Sequence, residues 1–74
     1  MNRVGAASVA APALSKREGD VMRLLAQRLT NPEIAEALFL SPRTVEAHVA
    51  SVFNKLGVNS RRDAAASAVR LGLV

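Results

Sequence analysis

Leu40-Ser41-Pro42-Arg43-Thr44-Val45-Glu46-Ala47-His48-Val49-Ala50-Ser51-Val52-Phe53-Asn54-Lys55-Leu56-Gly57 is the stretch that decides how this chain folds. Ser41 is a favourable N-cap, because its hydroxyl can accept from an amide that a helix start leaves unpaired. Pro42 at the first helical position forgoes no bond that the helix would make. Val45, Val49, Val52, Phe53 and Leu56 then recur at i, i+4, i+7, i+8 and i+11, the spacing of one continuous apolar stripe. Gly57 stands where a left-handed cap belongs. The stretch predicts a helix over about 42–56 with one face in a core.

The flanking segments follow the same grammar. Thr30-Asn31-Pro32-Glu33 offers a cap, an early proline and a Glu three residues on. Ile34, Ala35 and Leu38 give a short inner face, so a helix is expected over about 31–38. Ser15-Lys16-Arg17-Glu18 has capping-box spacing, and Val21, Leu24, Leu25 and Leu29 follow at helical intervals; this predicts a helix over about 16–28. Ser60-Arg61-Arg62-Asp63 caps a last helix carrying Ala64, Ala65, Ala68, Val69 and Leu71, expected over about 61–71 and stopped by Gly72. No segment alternates with period two. The expected fold is all-α: a four-helix bundle whose second and third helices, joined through Phe39, Leu40 and Ser41, form a helix-turn-helix.

Composition narrows the function. The 74 residues allow one domain, and the formal net charge is +4. There is no Cys, Tyr or Trp and a single His. Disulfides, zinc fingers and thiol chemistry are excluded, and neither an enzyme, a metal site nor a cofactor is expected. No apolar run approaches the roughly 18 residues needed to cross a bilayer. Every basic residue except Arg3 lies beyond Ala13. A small, basic, Ala- and Leu-rich domain of this kind suits a binding module for a polyanion. Residues 1–13, rich in Ala, Val, Gly and Ser, read as a flexible linker or the stub of a longer regulator. A signal peptide, with Arg3 as its basic end and Ala11-Pro12-Ala13 as its cleavage site, is the weaker alternative because the apolar stretch lacks Leu and Phe. The folded domain is placed at 14–74.

The outer face of the third helix carries the functional reading. Opposite the apolar stripe stand Arg43, Ala47, Ala50, Ser51 and Asn54; Thr44, His48 and Lys55 lie on one flank and Glu46 on the other. Small and polar, such a face could enter a major groove, which is about 12 Å wide. Arg can pair with guanine, Asn with adenine, and an Ala methyl can meet the thymine methyl. The same pattern would also serve as an ordinary solvated face of a bundle. His48, with no Cys and no second His, reads as a phosphate or base contact rather than a metal ligand.

These residues also carry a resemblance. Leu14-Ser15-Lys16-Arg17-Glu18, Asp20-Val21-Met22, Leu29-Thr30-Asn31-Pro32-Glu33-Ile34-Ala35, Leu40 to Val49, Lys55-Leu56-Gly57-Val58, Ser60-Arg61 and Ala64 are similar in order and spacing to the LuxR-type (GerE- or FixJ-type) DNA-binding domain. The resemblance covers Leu14 to Val74 without a gap. It implies a four-helix domain of a bacterial transcription regulator, cytoplasmic and acting at the nucleoid, whose third helix reads the major groove of double-stranded DNA. Matched to this family, Thr44 is expected at a phosphate and Val45 in the core, while Glu46, Ala47, His48 and Ala50 take positions that face the groove. With the outer-face residues above, the expected base-reading set is Arg43, Glu46, Ala47, His48, Ala50, Ser51 and Asn54. The expected phosphate set is Thr30, Ser41, Thr44, Lys55, Arg61 and Arg62. Glu18 matches a family acid and reads as a cap and internal ion-pair partner.

Glu46 departs in charge from the Lys that many relatives carry, and Ala50 lacks a donor. Glu46 could accept from a cytosine amino group or simply disfavour some sequences. Between Ser41 and Leu56 only Arg43 and Lys55 oppose Glu46, so the basic residues flank the reading helix instead, in helix one and at Arg61 and Arg62. The resemblance makes the last helix a dimer contact, through Ala64, Ala65, Ala68 and Val69, weak without DNA. It also implies an N-terminal regulatory domain outside this chain and RNA polymerase as a further partner. Two rivals stay open: a promoter binder resembling region four of a sigma factor, which shares the Ser-x-x-Thr-Val entry, and a protein-interaction adaptor that has lost DNA binding.

Overall fold

A computed structural model describes residues 13–72; the linker expected over 1–13 lies outside them apart from Ala13. Four helices follow in order: α1 Lys16–Ala26, α2 Asn31–Leu38, α3 Pro42–Leu56 and α4 Arg61–Arg70. Among the described residues there is no strand. The all-α fold with a helix-turn-helix stands as expected.

Each helix begins on the expected cap. The side chains of Ser15, Thr30, Ser41 and Ser60 accept from the amides of Glu18, Glu33, Thr44 and Asp63. In α1 and α2 the box closes in both directions, since Glu18 and Glu33 accept from the amides of Ser15 and Thr30 at 2.9 and 2.8 Å. Four otherwise orphaned donors are thereby satisfied.

The helix ends were less legible. α1 stops at Ala26 instead of the expected Arg28. Arg28 takes a left-handed conformation (φ 73°), its amide donates to the Leu25 carbonyl and that of Leu29 to Leu24. This pair of bonds is the Schellman motif, which turns the chain off the helix axis while satisfying its last carbonyls. α2 ends the same way on Phe39 (φ 58°), with Leu40 donating to Ala35 at 2.9 Å. α3 ends on Gly57 (φ 68°), with Val58 donating to Phe53 at 3.0 Å. α4 ends at Arg70, one residue early, because Leu71 is its capping residue and Gly72 turns left-handed after it.

The core is one cluster: Val21, Met22 and Leu25 of α1, Ile34 and Ala35 of α2, Val45, Val49 and Val52 of α3, and Ala64 and Ala68 of α4. α1 is its hub, packing chiefly on α4 and α3, while α2 packs chiefly on α3. The small residues of α4 allow its backbone to approach α1 closely. α3 is thus held chiefly by α1 and α2, with a smaller contact to α4, and keeps its outer face open.

Candidate nucleic-acid interface

Burial divides α3 into three stripes. Val45, Val49 and Val52 are buried inward, and Phe53 and Leu56 are half-buried beside them. Arg43, Glu46, Ala47, Ala50 and Asn54 are exposed. They are linked by i, i+3 and i, i+4 steps and therefore share one surface. Between these stripes run Thr44, His48, Ser51 and Lys55, also at i+4, i+7 and i+11, and this side stripe turns toward α1.

The side stripe contributes to a polar cluster around Glu18. Glu18, near the start of α1, is buried, with 6% of its surface exposed. Its Oε1 accepts from the Ser15 amide (2.9 Å) and from Lys55 Nζ (2.8 Å), and its Oε2 accepts from Ser51 Oγ (2.6 Å). Hydrogen bonds from Lys55, Ser51 and the Ser15 amide hold the carboxyl near a pKa of about 2, against an ordinary 4.5. All three donors favour the charged form, and together they outweigh the cost of burial. Lys55 Nζ also donates to the Ala13 carbonyl at 3.2 Å. The reading of Glu18 as cap and internal ion-pair partner holds. Ser51, expected on the outer face, is half-buried with its hydroxyl committed to Glu18, because its spacing aligns it with Thr44, His48 and Lys55.

The remaining expected residues fall into place by contact. Ser41 Oγ donates to Thr44 Oγ1 at 2.9 Å, at the exposed start of α3. His48 is half-buried on the side stripe. The Thr30 amide and hydroxyl are both engaged by Glu33. Arg61 is half-buried: Nη1 donates to Asn31 Oδ1 (2.7 Å) and Nη2 to the Leu29 carbonyl (2.6 Å). It clamps the α1–α2 turn onto α4. Arg62 is exposed. Lys55 and Arg61 therefore have internal partners that the sequence did not reveal, each more than 29 residues away.

On α4 the structure narrows the expected dimer contact. Ala64 and Ala68 have no exposed surface and belong to the core, since α4 turns them onto α1. Ala65 is half-buried and Val69 is 67% exposed. With Ala66 they line a groove of about 600 Å³, edged by Arg28, Arg61 and Arg62 and floored in part by Leu25 and Leu29. Among the described residues no cluster of His, Asp and Glu could hold a metal ion, and no helix is long and apolar enough to cross a membrane.

Comparison with known proteins agrees with this geometry. Residues 12–68 match the family described as bacterial regulatory proteins, luxR family (GerE). The spore germination protein GerE of Bacillus subtilis (strain 168) is 44% identical over 61 residues, covering 82% of this chain and 82% of that protein. The transcriptional regulatory protein LiaR of the same organism is 43% identical over 61 residues, 82% of this chain but 29% of its own. Among solved structures, that of the transcription factor GerE superposes with a TM-score of 0.74 at 33% identity, over 81% of this chain and 90% of that one. The response regulator ChrA of a heme-sensing two-component system superposes with a TM-score of 0.79 at 35% identity, over 96% of this chain and 35% of its own. The chain thus spans most of GerE and only part of LiaR and ChrA.

Proposed function

This chain belongs to the LuxR family of bacterial regulatory proteins, as a DNA-binding domain of a transcription regulator, and on that premise we propose that it binds double-stranded DNA sequence-specifically, with α3 in the major groove. The observation that carries this is the exposed stripe of Arg43, Glu46, Ala47, Ala50 and Asn54 on a helix whose other faces are fastened to α1 and α2. Ala47 and Ala50 keep the middle of the stripe low, so the backbone of α3 can approach base edges closely. Arg43 and Asn54 supply donors suited to guanine and adenine. His48 meets the groove wall from the side stripe.

Phosphates are met by Thr44 and Ser41 at the start of α3, where helix amides favour an anion, by the Thr30 hydroxyl at the start of α2, which accepts from the Glu33 amide and keeps its own proton to donate, and by Arg62. Lys55 and Arg61 serve the same end through position: one fixes α3 to Glu18, the other fixes the α1–α2 turn to α4. The domain pairs with a second copy across Ala65 and Val69, weakly without DNA, since so small a surface buries little. The likeness to LiaR and ChrA, of which this chain spans only part, supports an N-terminal regulatory domain that controls it; as a DNA-binding regulator it acts at the bacterial nucleoid with RNA polymerase as its downstream partner.

A fluorescence-anisotropy titration of labelled duplex across a salt series tests this reading. Affinity should fall linearly on a log–log plot, by about 0.9 log units per decade of salt for each phosphate neutralised. Affinity independent of salt would overturn it.

A further inference from the structure

Glu46 presents a carboxylate on the very surface assigned to a polyanion. It is exposed, and among the described residues it enters no ion pair: the pairs there join Asp20 to Arg17 and Arg23, and Glu18 to Lys55. Arg43 precedes it by three residues, a spacing that often pairs charges on a helix, yet the two stay apart. The carboxylate is thus left available on the outer face, and repulsion from phosphates makes it costly there unless a donor receives it.

The chemistry of base edges restricts that donor. In the major groove, guanine presents acceptors, thymine an acceptor and a methyl, and adenine an amino group beside the N7 acceptor. A carboxylate meets a repelling atom on each of these. Cytosine alone offers its N4 amino group without an acceptor on the same base. Ala47 and Ala50 adjoin Glu46 on the exposed stripe, and neither is tall enough to hold its carboxylate away from the bases. Resting on the DNA-reading role proposed above, we infer that Glu46 is a specificity-determining residue that accepts from the N4 amino group of one cytosine and rejects the other three bases at that position. Arg43 stands about 5–6 Å away along the helix surface, measured between Cβ atoms. The rise per base pair is about 3.4 Å. A guanine read by Arg43 should therefore lie within two base pairs of that cytosine.

The test selects bound duplexes from a random library with the 74-residue chain, with Glu46→Ala and with Glu46→Gln. Affinities for single-base variants of the selected site follow. All three proteins should melt together, because Glu46 is exposed. The unsubstituted chain should prefer cytosine at one position by at least about five-fold, the lower end for a good base contact. Glu46→Ala should level that preference to within about two-fold and raise affinity for unrelated DNA. Glu46→Gln should move the preference to adenine, whose N6 and N7 suit an amide. A selected motif left unchanged by both substitutions would overturn the inference while leaving DNA reading intact. Failure of the unsubstituted chain to enrich any motif would overturn the DNA-reading role, and the inference with it.

Discussion

Replacing Arg28 by glycine should stabilise this domain, although it removes a long side chain and puts the most flexible residue in its place. Arg28 sits at φ 73° and Phe39 at φ 58°, and each carries the amide bonds that close its helix. An L-residue in this region costs about 1–2 kcal/mol from the clash of Cβ with the following carbonyl. Glycine removes that cost but adds about 0.5–1 kcal/mol through the freedom it gives the unfolded chain. The net gain for Arg28→Gly is therefore centred on about 0.75 kcal/mol, within about 0–1.5. At about 4–8 °C per kcal/mol for a domain of this size, that central gain raises Tm by roughly 3–6 °C. Phe39→Gly should behave alike, since Phe39 is 94% exposed and gives up no burial.

Two controls isolate the cause. Arg28→Ala keeps the strained conformation and should gain nothing. Gly57→Ala reverses the experiment: φ is 68° and an added Cβ meets nothing within 4 Å, so its loss, about 0.5–1 kcal/mol, reports backbone strain offset by unfolded-chain freedom, with no clash added. The assay is reversible thermal unfolding followed by far-UV circular dichroism. Equal melting of Arg28→Gly and Arg28→Ala, or a lower Tm for the glycine variant, would refute the reasoning.

Other perturbations probe the polar contacts. Because Glu18 is held near a pKa of about 2 in the fold against 4.5 ordinarily, its contribution should be fully present above pH 4.5 and fade as pH falls toward 2; in urea titrations the advantage of the native chain over Glu18→Gln should shrink over that window. Arg61→Met removes two hydrogen bonds from a half-buried guanidinium and should cost about 1–2 kcal/mol in the absence of DNA; an unchanged melt would return Arg61 to a purely phosphate-binding role. Val69→Glu should leave the melt within about 0.5 kcal/mol, as at other exposed sites, weaken binding to a duplex with two half-sites in a gel-shift titration, and leave binding to a single half-site unchanged.

Helix starts were legible because each rests on a local residue pair: Ser15 with Glu18, Thr30 with Glu33, Ser41 with Pro42, Ser60 with Asp63. Ends were legible at Leu38 and at Leu56 before Gly57, and to within one residue before Gly72. At Arg28 and Phe39 the left-handed turn falls on residues whose type gives no sign of it, which is why α1 was expected two residues too long. The outer face of α3 was read correctly apart from Ser51, whose spacing from Thr44 and Lys55 already placed it on the side stripe. Ala64 and Ala68 look the same in sequence as the exposed Ala66, so only the packing of α4 on α1 separates core from surface. The partners of Lys55 and Arg61 come from distant segments and leave no local mark.

The central claim is that α3 enters the major groove, and N7 methylation of guanine probes that groove selectively. Once a bound duplex has been selected, copies methylated at guanine N7 should bind much more weakly when the modified base lies opposite Arg43, while a ligand occupying the minor groove should leave affinity almost unchanged. Undiminished binding to duplexes methylated throughout the site, together with competition by the minor-groove ligand, would contradict the account.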